Sequence, residues 1–204
     1  MVLKADLMTT SSPKAISRED ILPMDVYRDQ RSERRMSLVE KKKNRRIAVG
    51  PDVMFYFECY DTMWFQIHEM LYIEKGGEDQ IREELAAYNP LIPQGGELVA
   101  TMMIEIEDEG RRARTLARLG HIEDQIYLQI GDQEIQGIPE DDADRTTEDG
   151  KTSAVHFIHF SLDDAAVAAF RSGDGQAMLA IRHDNYMHMA GISDIVRQEL
   201  AQDL

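Results

Sequence analysis

The chain has 204 residues, 43% of them hydrophobic and 30% charged, the balance of a globular protein long enough for one sizeable core. A formal net charge of −15 argues against general nucleic-acid binding, which needs positive potential to displace counterions. There is no run of about 18 apolar residues, so no membrane span is expected.

Residues 1–16 are rich in Ser and Thr and lack the apolar stretch of a secretory signal, so they read as a flexible arm on a cytoplasmic protein. A single domain is expected from residue 17 to residue 204. Ser17 and Asp20 form an imperfect capping box, and a helix with a narrow apolar side is expected from about Met24 to Lys43. Between Arg28 and Arg46 lie nine basic and three acidic residues. This basic helical segment, 28–46, is either a solvated helix docked on an acidic body or a contact surface for an acidic partner or a phosphate. In the second case Arg34, Arg35, Lys42, Arg45 and Arg46 make the contact.

Ile47–Val49 and Val53–Phe57 flank Gly50-Pro51-Asp52 and read as a hairpin. Cys59 stands alone, so it cannot form an internal disulfide, and it reads as a small buried filler. The run from Thr62 to Glu74, TMWFQIHEMLYIE, sets Gln66, His68, Glu69 and Glu74 among apolar residues. A helix apolar around most of its circumference should be buried, and a buried carboxylate needs a partner. Gly76-Gly77 ends this helix, and a second runs from Glu78 to Tyr88 until Asn89-Pro90 stops it. Leu98–Glu107 is apolar on both faces up to Glu105, the mark of a central strand.

A short helix is expected at Arg111–Leu119. A hairpin follows, Gln125–Ile130 and Gln133–Ile138 about Gly131-Asp132, and then a polar, acidic loop at 139–150. Strands are expected at Ser153–Ser161 and Gln176–His183, and helices at Ala165–Phe170 and 194–202, the last capped by Ser193. His183 and His188 read as solvated. This order predicts an α+β fold, a largely antiparallel mixed sheet covered by helices, with a charged N-terminal helix.

No HExxH, P-loop or dinucleotide fingerprint is present. Lys151-Thr152-Ser153 lacks a positioned base and does not make a nucleophile. Glu69, Glu105 and His156 are oxygen and nitrogen donors on separate elements. Brought together, they would suit iron, manganese or zinc; apart, each would satisfy an Arg or a backbone group. His156 and His159, three apart on a strand, face opposite ways. A concave pocket lined by Gln66, Glu69 and Tyr88, with Glu58 and His183 as further candidates, would suit a small-molecule enzyme. No substrate, oligomeric state or strand order follows from the residues.

The segments KKNRRIAVGPDVMFYFE, EELAAYNPLIP, ATMMIEIED and KTSAVHFIHF, with Gln66, Glu69, Met70 and Glu74 on one helix, resemble an uncharacterised bacterial family, domain of unknown function 3501. The resemblance runs from about Arg28 to Tyr186. It implies an accessory role around iron or peroxide stress, with rubrerythrin-like or iron–sulfur proteins as partners, and it identifies no reaction. Two positions depart from the family pattern. His183-Asp184-Asn185-Tyr186 replaces a His-Pro-x-Tyr turn, and His159 stands in place of Arg, so no ligand role passes to it.

Overall fold

The computed structural model describes residues 14–140, 145–147 and 150–204. Most of the arm expected at 1–16, and residues 141–144, 148 and 149 of the acidic loop, lie outside the described residues. Ile16, assigned to the arm, is buried, and its N–H donates to Asn89 Oδ1 at 2.7 Å.

The helices are α1 (Met24–Lys43), α2 (Tyr60–Glu74), α3 (Gly77–Tyr88), α4 (Glu109–Leu116), α5 (Asp164–Ser172) and α6 (Asp194–Leu200). The strands are β1 (Arg46–Val49), β2 (Val53–Phe57), β3 (Glu97–Ile104), β4 (Ile126–Ile130), β5 (Gln133–Gln136), β6 (Ile138–Pro139), β7 (Val155–Ser161), β8 (Ala177–His183) and β9 (Tyr186–Gly191). The α+β class holds, and every pairing among the described strands is antiparallel. The strands form two sheets, ordered β1-β2-β3-β7-β6 and β5-β4-β8-β9.

Alternation along β3 divides the protein into two cores. Leu98, Ala100, Met102 and Ile104 face the second sheet, where Leu128, Leu179 and Ile181 complete the main core. Val99 faces the other way and packs with Met63, Ile67 and Leu71 of α2. Tyr186 ties the sheets together: its hydroxyl donates to Val49 O at 2.8 Å and accepts from Asp52 N at 3.0 Å. Gly50, at φ +73°, turns the β1–β2 hairpin beneath it. A Cβ there would come within 2.6 Å of the Tyr186 hydroxyl and the His188 ring.

Two expectations are corrected by this arrangement. The basic segment is not helical throughout 28–46, because α1 ends at Lys43 and β1 begins at Arg46. The strand β9 was not expected. Met187, His188 and Met189 are all exposed, so this segment lacks the alternation that marks a half-buried strand.

The apolar helix α2 is buried on one side and clasped by α1 on another. Tyr27, the buried residue of α1, packs edge-on against Trp64 and Tyr72. Its hydroxyl donates to Glu69 Oε1 at 2.7 Å, and Arg31 holds both Glu69 oxygens at 2.7 Å. The Arg31 pairing holds the Glu69 carboxyl below its usual range. Glu69, with 18% of its side chain exposed, is therefore a clamp between helices. His68 is enclosed and stacks on Trp64, with ring centroids 3.7 Å apart. Its Nδ1 donates to Trp64 O at 2.7 Å, and its Nε2 accepts the Leu22 N–H at 3.1 Å.

Protonating His68 would set two donors against each other at Nε2, and burial lowers its pKa from 6.5 to about 4. The unfolded chain therefore takes up this proton first, so this contribution to stability is lost as pH falls from 6.5 towards 4. Urea unfolding of the wild type and His68→Gln should show a stability gap that narrows as pH drops from about 7 to about 4.5. A gap independent of pH would contradict the neutral, accepting His68.

Candidate functional site

Between the first sheet and its helical cover lies a cleft of about 310 Å³. Its position follows from strand alternation: Phe55 and Phe57 of β2 point into the main core, which leaves Tyr56 on the helix side. Thr101 and Met103 of β3 and Phe157 of β7 extend that wall. Thr62, Met63 and Gln66 of α2, Tyr88 of α3, Leu91 and Lys42 close the opposite side. Glu58, one residue past β2, lines the same cleft.

Glu58 is held from several directions. Its N–H donates to Val99 O at 2.8 Å, and its carbonyl accepts from Arg45 Nη2 at 2.9 Å. Its Oε1 accepts the Thr101 hydroxyl at 2.7 Å. Its Oε2 is buried and has no hydrogen-bond partner among the described residues. Leaving such an atom unmatched costs free energy, and an unmatched buried polar atom calls for an explanation, of which a bound water, ion or ligand is one.

The remaining polar groups of the cleft are partly committed. Tyr56 donates to Glu105 Oε1 at 2.7 Å, and burial together with that carboxylate pushes the phenol up to about 12. Tyr56 is thus a fixed donor at neutral pH, and it occupies the exposed Glu105. Gln66 Nε2 donates to Tyr88 at 3.4 Å. Lys42 is half-exposed, and its ammonium has no ion-pair partner among the described residues.

Glu58, Gln66 and Tyr88 of the expected pocket line one cleft, and Glu69 and His183 do not. Gln66 and Glu69 do not share a site, because three residues turn a helix by about 300° and set the two side chains some 60° apart. That difference directs Gln66 to the cleft and Glu69 to α1. His183 sits at the β8–β9 turn of the other sheet, with Nε2 3.1 Å from Gly120 O and Nδ1 accepting the Asn185 N–H at 3.1 Å.

The expected metal triad is corrected as well. Glu69 pairs with Arg31, and Glu105 with Tyr56. His156, opposite Met102 in the sheet register, faces the main core, on the far side of the sheet from α2. Among the described residues no three His, Cys, Asp or Glu side chains form a metal-binding group. His156 instead joins Glu123, which the sequence did not single out. Its Nε2 donates to Ser153 O at 2.9 Å, and its Nδ1 lies 3.7 Å from Glu123 Oε2 without a hydrogen bond. Because Nε2 carries a proton towards Ser153 O, it does not act as a base for the nearby Thr152 hydroxyl. Burial lowers the His156 pKa.

The proposed partner surface is also largely committed. Arg34 lies over the Trp64 ring at 4.4 Å, Arg31 holds Glu69, and Lys41 pairs with Asp61. Lys42 faces the cleft, while Arg35 and Arg46 are exposed. Arg45 is buried at 1% exposure and is no contact residue. Its Nε donates to Phe57 O at 3.0 Å, its Nη1 meets Glu199 at 3.3 Å, and its Nη2 also pairs with Asp203.

A larger, more open groove of about 770 Å³ runs between the start of α1 and the α2–α3 corner. Its ion pair, Arg18 with Glu78, is internally satisfied. Among the described residues the groove has no buried polar atom without a partner, so the smaller cleft is the better candidate.

Fold and cleft define the class: an α+β protein with a small, mixed polar and apolar cavity between a sheet and its helices. The chain matches the DUF3501 family, described as a protein of unknown function, over residues 15–204, and it belongs to that family. It is similar to a solved novel protein of unknown function from Burkholderia pseudomallei, with 38% identity and a TM-score of 0.86, over 93% of this chain and 99% of that one. No curated protein matches the chain. Among the described residues, no helix is long and apolar enough to cross a membrane.

Replacing Arg45 by Met would leave the Asp203 carboxylate buried and Phe57 O and Glu58 O without their donor. Urea unfolding should show a loss of about 3–5 kcal/mol. A loss below about 1 kcal/mol, the value of an exposed pair, would contradict this role.

Proposed function

We propose that this protein binds a small organic molecule in the cleft between β2–β3 and α2–α3, with Glu58 as its anchor. One observation carries the reading: Glu58, on a backbone held by hydrogen bonds, lines the cleft and has a buried carboxylate oxygen without a partner among the described residues. The cavity, about 310 Å³, lies at the lower end of the range for ligand pockets, so the ligand is small. Apolar side chains and a few placed polar groups make the usual lining of such a site.

Binding of iron, manganese or zinc through Glu69, Glu105 and His156 is not carried forward, because Glu69 turns to Arg31 of α1, Glu105 to Tyr56, and His156 to the main core on the other side of the first sheet. A docking role for the basic segment 28–46, towards an acidic, rubrerythrin-like or iron–sulfur partner, now rests on exposed Arg35 of α1 and Arg46 at the start of β1 and ranks second.

A fragment screen by protein-observed NMR should give hits that shift cleft resonances in the wild type and disappear in Met103→Phe, which fills the cavity. Persistence of the same hits in Met103→Phe, or a library that leaves the cleft resonances unmoved, would overturn the proposal. Without ligand, Glu58→Gln should be at least as stable as the wild type, since a neutral amide is less costly than a charge to bury unpaired. A loss above about 1 kcal/mol would mean that the carboxylate already has its partner.

A further inference from the structure

Glu58 and Lys42 line the same cavity of about 310 Å³, yet no ion pair joins them among the described residues. The Glu58 carboxylate is buried and turned to Thr101, while Lys42, in the last turn of α1, is half-exposed. The cleft thus presents a separated negative floor and positive rim. Met63, Leu91, Met103 and Phe157 line the same cleft, an apolar wall in which the unbranched Met side chains adapt to varied shapes.

The geometry points to a small zwitterion with an apolar side group, of the free α-amino-acid class, as the ligand of this cleft. This inference rests on the cleft being the binding site proposed above. The ammonium of the ligand donates to Glu58 Oε2, which supplies the partner that oxygen lacks. The carboxylate of the ligand meets Lys42, and the side group covers the apolar wall.

Other ligand classes fit less well. A polyamine needs several free carboxylates, and Glu105 is already engaged by Tyr56. A nucleotide or phosphate ester needs more than one cation, and Lys42 is the cleft's only lining cation among the described residues. A purely apolar ligand would leave Glu58 Oε2 desolvated and unmatched.

Isothermal titration of the full chain with three matched compounds tests the inference: leucine, 3-methylbutylamine, which lacks the carboxylate, and 4-methylpentanoate, which lacks the ammonium. Methionine and phenylalanine extend the panel in side-group size. Leucine or one of these relatives should bind. Removing the ammonium, or introducing Glu58→Gln, should weaken binding at least ~10-fold, the effect of losing a charge-assisted hydrogen bond. Removing the carboxylate, or introducing Lys42→Met, should weaken it roughly three- to fivefold, as befits a rim contact. In Lys42→Met the amino acid and its amine should bind alike.

Urea midpoints of both variants establish that they are folded. Equal binding of amine and amino acid to the wild type would overturn the zwitterion assignment while leaving a cleft anchored by Glu58. Failure of the whole panel, alongside fragment hits that still require an open cleft, would overturn this inference alone. Failure of both panel and fragments would remove the proposed function with it.

Discussion

The buried guanidinium of Arg45 is the constraint on which the rest of the arrangement depends. One side chain joins the residue before β1 to the carbonyls of Phe57 and Glu58 and to Glu199 and Asp203 at the C-terminal end. A planar group with five fixed donors can satisfy several acceptors that an ammonium could not. Three consequences follow from it. The chain leaves α1 abruptly and turns into the sheet, the C-terminal helix docks on the first hairpin, and the peptide carrying the Glu58 side chain is fixed. Burial pushes the Asp203 carboxyl up, against the opposing pull of Arg45, so this pair holds geometry more than it adds stability.

The first sheet separates scaffold from site by alternation alone. Its inner face meets the second sheet in a core that is almost wholly apolar, with the His156–Glu123 pair as a polar inclusion. Its outer face is covered by α2 and α3, and that cover is incomplete where Thr101, Met103 and Tyr56 meet Gln66 and Tyr88. The polar residues of α2 then divide by direction. His68 and Glu69 turn to α1 and build the helical clamp. Gln66 turns to the sheet and lines the cleft.

Much of this was legible in the sequence. The central strand at β3 followed from residues apolar on both faces, the hairpins from Gly50-Pro51-Asp52 and Gly131-Asp132, and the cap of the last helix from Ser193, whose side chain accepts from Val196 N. Glu58, Gln66 and Tyr88 stood out as polar or amphipathic residues in apolar surroundings, and they lie together. What stayed hidden was directional. Whether Glu69 meets a metal or an arginine depends on which helix lies over it, and the Arg31 that pairs with it is one of nine basic residues in that segment. Arg45 reads as surface charge until the strand following it is placed. Thr101 was a detectable signal, a lone hydroxyl in an apolar strand, and Glu123 had none. The pairing of β1 and β9 with different sheets also depends on long-range contacts that local periodicity does not encode.

The cleft is therefore best regarded as a built cavity whose floor carries a negative group prepared for a donor. The measurement that bears on this most directly is a high-resolution crystal structure of the protein grown with an apolar amino acid. It should place the ammonium within hydrogen-bond distance of Glu58 Oε2, between β3 and α2. Finding that oxygen bonded only to an ordered water, or to a protein group in a closed cleft, would contradict the account.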